Sequence, residues 1–383
     1  MSAGPWACVL EATGSPGLAA PNILHPMRYI SSPDFHRDGA ERIGILLVNT
    51  GTPEAPRARE VRKFLAKFLA DPRVVEWPRA FWLPILYGYV LPFRPARSAR
   101  KYRKIWSTYG SPLLELSERL RSELTLTLTQ RVLAPLTVEL GMLYSQPSVA
   151  GALERLRESG AQRILVVPLY PQYCGATTGA VYDQVMGELH RWRWLPELRF
   201  VAEYHDQPGY IEALRASIAQ HWEAHGRTKH LLISFHGIPE RSFHQGDPYF
   251  CKCQKTARLL ADELMLRETE WTVSFQSRFG RAGWLRPYTS AVLADLPTRG
   301  IREVTVVCPG FAVDCLETLE EIDIENRSTF LHGGGQHFQY VPALNARIEH
   351  ARFLGDLVAR HCQGWTHVEL GMRPAAASRG ASA

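Results

Sequence analysis

His236 follows the apolar run 231–235 (LLISF) and precedes Gly237 and Pro239. Glu317, Glu321 and Glu325 recur four apart in CLETLEEIDIE (315–325), after a second apolar run at 304–307. That spacing puts the three carboxylates on one helical face. An apolar run ending in a polar residue and a Gly-x-Pro turn is how a buried parallel strand delivers a side chain to the rim of its sheet. An imidazole that titrates near neutrality accepts protons, and a row of carboxylates draws in a divalent cation or carries protons out. Metal handling coupled to proton removal is the chemistry these residues support. Neither signal is specific alone. A histidine after a strand commonly caps or packs, and acids at this spacing commonly face solvent, with Glu320 and Asp323 on other faces. Position favours the chemical reading, because Glu317 falls in a first helical turn, where the dipole favours a carboxylate.

Strand patterns lie near 43–49, 136–142, 163–169 and 198–203, and again near 230–235, 271–276, 303–308 and 338–342. Helical patterns cover 57–70, 112–129, 148–158, 178–191, 208–224, 253–265, 288–296 and 345–361. Their alternation predicts an α/β fold of two doubly wound, Rossmann-like halves with parallel sheets. Ligands in such folds sit beyond the C-terminal strand ends, so the active-site cleft is expected between the halves, with His236 and Glu317 at its edge. The chain also reads as if built twice. LLVNTGTPE (46–54) aligns with LISFHGIPE (232–240), placing Thr50 opposite His236, and RILVVPLYP (163–171) aligns with EVTVVCPGF (303–311). The expected divisions are an N-terminal half over 41–205 and a C-terminal half over 206–372. Aperiodic ends at 1–40 and 373–383 are expected to be disordered, with Met27 a candidate true start.

Composition sets the class. With 383 residues, 21% of them charged and 45% hydrophobic, the chain is long enough for one large core or two medium ones. A net charge of +6 without a clustered basic stripe argues against nucleic acid. Seven cysteines in no paired framework fit a reducing cytosol, and residues 1–27 lack the Lys or Arg of a signal peptide. The apolar stretch 81–93 (FWLPILYGYVLPF) is flanked by Arg79 and Arg94, contains Pro84 and Pro92, and is too short to span a bilayer. It reads either as an apolar lip over a cleft or as a buried helix. Cys251-x-Cys253 is too tight for structural zinc, and HGGGQH (332–337) lacks the nucleophile an oxyanion loop serves.

LLVNTGTP, the 94–102 segment, Gly110-Ser111-Pro112, YPQY with TTG, SFHGIPE, GDPY, FQSRFG and CLETLEEI arrive in order over 41–362. In these motifs the chain resembles the ferrochelatases, and Cys315 ahead of the glutamate helix is similar to their proteobacterial branch. The resemblance implies the chelatase fold and insertion of Fe(2+) into protoporphyrin IX to give protohaem, with release of two protons, the terminal step of haem biosynthesis. It implies that His236 and Glu317 are the catalytic and metal-binding pair and that Glu321 lies on a proton or metal path. Arg94, Tyr102, Ser111, Tyr144 and Trp284 match positions lining the porphyrin cleft. It further implies a cytoplasmic enzyme that can touch the inner membrane peripherally, with Fe(2+) and protoporphyrin IX as its partners and no nucleic acid. Which of His236 and Glu317 holds metal and which relays protons stays open.

Three departures stand out. Leu143 occupies a position often held by arginine, Thr50 one often held by methionine, and Cys174 is offset by one from a cluster-ligating position. With Cys362 alone near the end, the cysteines argue against an iron–sulfur cluster, and no resident cofactor is expected. Competing readings are a coproporphyrin III ferrochelatase, a small cobalt or sirohydrochlorin chelatase, and a non-enzymatic tetrapyrrole-binding protein.

Overall fold

The computed structural model describes residues 29–30, 42–132, 134–278, 280 and 283–365. Eight strands form two four-stranded sheets. β1 (Arg42–Asn49), β2 (Leu136–Met142), β3 (Ala161–Pro168) and β4 (Glu197–Phe200) lie in the order β2-β1-β3-β4. β5 (Leu231–His236), β6 (Trp271–Gln276), β7 (Glu303–Val307) and β8 (His337–Val341) lie in the order β6-β5-β7-β8. Every pairing is parallel. Parallel strands need crossovers, which helices such as Ala58–Ala70, Pro112–Thr129, Val149–Glu158 and Tyr249–Glu263 supply. The expected doubly wound α/β architecture is therefore present.

The apparent repeat has a structural basis. β1 and β5 hold the same place in their sheets, as do β3 and β7, so both aligned sequence pairs fall on equivalent strands. The shared glycine is required twice, for different steric reasons. Gly51 has φ +101°, and a Cβ there would lie 2.5 Å from Ser145 Oγ. A Cβ on Gly237 would lie 2.9 Å from the Gln276 carbonyl oxygen and 3.3 Å from the Trp284 ring.

Strand alternation sorts the core into layers. Ile43, Ile45 and Leu47 of β1 and Leu231, Ile233 and Phe235 of β5 share one core between the sheets. Leu46 and Val48 face a second core under the helices of the first half, and Leu232, Val304 and Val306 a third under those of the second. The Ile348–His361 helix also packs on Pro112–Thr129, across the division between the sheets.

The 81–93 stretch is helical throughout. Segments Arg79–Ile85, Leu86–Val90 and Leu91–Ile105 follow one another, the middle one a π turn. Three prolines (Pro84, Pro92, Pro95) obscure this in the sequence, because each removes a helical donor. The buried-helix reading fails on one face: Phe81, Tyr87, Tyr89 and Phe93 are 70, 58, 68 and 69% exposed. Trp82, Leu86 and Val90 point inward, and Trp82 Nε1 donates to the Leu69 carbonyl at 2.6 Å.

Most of 1–40, all of 373–383 and Met27 lie outside the described residues. Disorder does not extend through all of 1–40, however. Ile30 pairs with Trp192 in a parallel bridge, its N–H donating to the Arg191 carbonyl at 2.8 Å, and the Arg193 guanidinium lies over the Tyr29 ring at 5.7 Å. A two-residue pairing of this kind carries no periodicity for the sequence to reveal.

Candidate active site

β5 ends at His236, beside the point where the chain turns from one side of the sheet to the other, the position at which doubly wound sheets open a crevice. His236 Nδ1 lies 2.6 Å from the Gly237 carbonyl. A carbonyl only accepts, so Nδ1 carries the hydrogen and Nε2 of the neutral ring keeps its lone pair for a proton or a metal. The Phe311 ring stands 6.4 Å from the imidazole, centroid to centroid.

Gln276 is the register partner of His236 on β6. Its side chain accepts from Ser234 Oγ at 2.8 Å and donates to the Glu317 carbonyl at 2.9 Å, linking the histidine's strand to the acidic helix. That helix, Glu317–Asn326, has π rather than α winding, a form often found at functional sites. Its start is anchored by buried Asp314, which accepts from Thr318 Oγ1 at 2.8 Å and from Asn345 Nδ2 at 2.8 Å. Glu317, Glu321 and Glu325 all line the cleft, as their spacing predicts. Glu321 accepts the Ser277 N–H at 2.7 Å and its hydroxyl at 2.5 Å. Burial pushes its carboxyl above the ordinary range, against the pull of the Ser277 hydroxyl and of nearby His236. Glu320 is not the solvated residue its helical face suggests. Its side chain is 2% exposed and meets two ammonium groups, those of Lys101 and Lys104. Burial alone would raise its pKa, but the two lysines hold it below the usual carboxylate range.

The cleft has a volume of about 1810 Å³ and takes one wall from each sheet's end. Arg94, Tyr102, Ser111, Tyr144 and Trp284 all line it together with His236, Glu317 and Glu321. Thr52 Oγ1 and Ser111 Oγ lie 2.7 Å apart, and the Tyr144 hydroxyl donates to Asp71 Oδ2 at 2.8 Å. Burial lowers the Arg94 pKa and raises that of Tyr102; the Glu317 charge opposes the first shift and adds to the second. Trp284 is held by a backbone bridge to Pro239, and its buried Nε1 has no hydrogen-bond partner among the described residues. Leu143, just past β2, also lines the cleft as an apolar group. Thr50, at the place His236 holds in the other half, hydrogen-bonds Tyr170 at 2.6 Å on the cleft floor.

Gln276, Ser277, Asp314 and Lys101 are the site residues that sequence reading missed. Gln276 and Ser277 stand inside FQSRFG, so the motif marked their region without showing what they do. Among the described residues no three His, Cys, Asp or Glu side chains converge as a metal cage.

A parallel α/β protein with an aromatic cleft at its strand ends, and an imidazole and a carboxylate row beside it, is built to handle protons and a metal against a large apolar ligand. The chain belongs to the ferrochelatase family, whose model matches residues 42–362. It is 53% identical over 345 residues to a ferrochelatase of Nitrosococcus oceani, covering 90% of this chain and 94% of that one. It is 54% identical over 339 residues to a ferrochelatase of Methylibium petroleiphilum, covering 88% and 93%. Among solved structures, the sirohydrochlorin chelatase SirB of Bacillus subtilis subspecies spizizenii, in complex with cobalt, is similar at a TM-score of 0.47. The identity is 12%, covering 82% of this chain and 93% of that one.

Proposed function

We propose that this ferrochelatase inserts Fe(2+) into protoporphyrin IX to yield protohaem, the closing step of haem synthesis. Family membership over nearly all of the described chain supports the reaction. The observation that carries the mechanism is the Gln276 link, which keeps the strand of His236 and the helix of Glu317 in one frame on a single side of the cleft.

Metallation replaces two pyrrole N–H protons by one dication, so two protons must leave as the metal sheds its water. His236 Nε2 accepts the first as a neutral base. Glu317 takes part in holding the metal or passing the second proton, and Glu321 continues that path. Its raised pKa suits a group that protonates readily. The cleft aromatics Tyr102, Tyr144 and Trp284, together with Arg94 and Ser111, bind and buckle the macrocycle so that nitrogen lone pairs turn toward the metal.

Iron enters as substrate, and the proposal includes no resident cofactor. We also propose a cytoplasmic enzyme with peripheral membrane contact through the exposed aromatics of 81–93. Among the described residues, no helix is long and apolar enough to cross a membrane. Anaerobic incubation of the purified protein with Fe(2+) and protoporphyrin IX, followed by haem absorbance, tests the reaction. A parallel arm with coproporphyrin III decides the substrate, and a faster rate there would replace the protoporphyrin assignment.

A further inference from the structure

The outermost acid of the row, Glu325, is exposed but already ion-paired. Lys101, on the Leu91–Ile105 helix, reaches across the cleft mouth and places its ammonium 2.5 Å from Glu325 Oε2. The same ammonium lies 2.8 Å from Glu320 Oε2, whose other oxygen accepts from Lys104 at 2.8 Å. The two anchors differ in kind. The Glu320 side chain is 2% exposed and held from two sides, whereas that of Glu325 is 56% exposed with Lys101 as its ion-pair partner. Lys101 itself is one-third exposed and lines the cleft with Glu317, Glu321 and Glu325.

A dication arriving from solvent meets Glu325 first, and Lys101 already occupies that charge. Leaving Glu325 does not strand the ammonium, because Glu320 still holds it. The exposed pair is the weaker one, since water screens it and a long side chain loses rotamer freedom in forming it. We infer that Lys101 is a positioning residue that gates the carboxylate row, pairing with Glu325 when the path is empty and retreating onto Glu320 when a divalent metal ion enters. Through Lys101 and Lys104 the same clasp ties the lip-bearing helix to the acidic helix. The inference rests on the proposed reading that the row conducts the metal ion.

The test is anaerobic steady-state metallation by the full chain, with the KM for Fe(2+), the KM for porphyrin and kcat measured separately. Lys101→Gln should lower the KM for Fe(2+) by about two- to fivefold, the scale of releasing one exposed ion pair, and leave the porphyrin KM unchanged. Glu325→Gln made in the Lys101→Gln background should cancel that gain. Lys101→Arg, which keeps the charge, should restore the wild-type KM for Fe(2+). The gate is overturned if Lys101→Gln, with its melting temperature intact, leaves the KM for Fe(2+) unchanged while Glu321→Gln raises it. If Glu321→Gln and the Lys101→Gln/Glu325→Gln pair also leave that KM unmoved and alter only kcat, the conducting row itself is wrong and the gate falls with it.

Discussion

The side-chain amide of Gln276 donates to the backbone carbonyl of Glu317 at 2.9 Å. Because Gln276 also sits in register beside His236, the bond fixes the start of the acidic helix relative to the strand that carries the base. A one-residue slip of β6 against β5 would turn Gln276 to the opposite face and uncouple the two.

His236→Ala should reduce metallation by about a thousandfold or more, consistent with loss of a positioned base together with a metal handhold. The ring is half-buried and, among the described residues, its Nδ1 bonds to the adjacent Gly237 carbonyl, so the fold should survive. Haem absorbance under anaerobic conditions and far-UV circular dichroism check both halves of this expectation. Retention of a tenth of the activity would remove the base assignment.

Glu317→Gln should depress kcat far more than it raises the porphyrin KM, because the charge acts on the metal or on the departing protons. Glu321→Gln, further along the same helix, should show a milder form of that defect. A Glu317→Gln enzyme altered only in porphyrin KM would make this acid part of the cleft wall.

Phe81→Ser, Tyr89→Ser and Phe93→Ser combined should weaken binding to vesicles containing anionic lipid by at least about tenfold, since burying each such side chain contributes about 1.5–3 kcal/mol. Trp82 is the wrong residue to change, being buried and bonded to Leu69. Cosedimentation gives the answer, and unchanged binding by the triple variant would leave the exposed aromatics with no membrane role.

His350 is fully buried, donates from Nδ1 to the Asn345 carbonyl at 2.7 Å, and has no partner at Nε2 among the described residues. Burial pushes its pKa down to about 4. A folded-state pKa below the unfolded one means the stabilisation is complete above about pH 6.5 and is lost as pH falls toward 4, by roughly 3 kcal/mol at full extent. Urea midpoints measured from pH 7 to pH 4 should fall more steeply for the wild type than for His350→Gln. Parallel curves would show that another group governs acid unfolding.

The strands were readable because parallel strands buried on both faces are continuous apolar runs, and all eight observed strands overlap the expected ones. His236 and Glu317 were readable for a related reason, since each follows such a run. The 79–105 helices were not, because prolines interrupt their pattern while the π turn shifts the helical period. Glu320 misled because burial beside lysines from a distant helix leaves no mark on its own helix. Gln276 and Asp314 act through bonds to residues 41 and 31 positions away, Glu317 and Asn345 respectively, which local patterns do not record.

Ile43, Ile45 and Leu47 close against the same core as Leu231, Ile233 and Phe235. Leu354, Leu357 and Val358 of the Ile348–His361 helix belong to it as well. Peeling one half from the other would bare both inner sheet faces to water, so heat or urea that loosens one half must loosen its twin. The molecule should come apart in a single step. No surviving half could then present folded carboxylates to iron without the aromatic wall that receives the porphyrin.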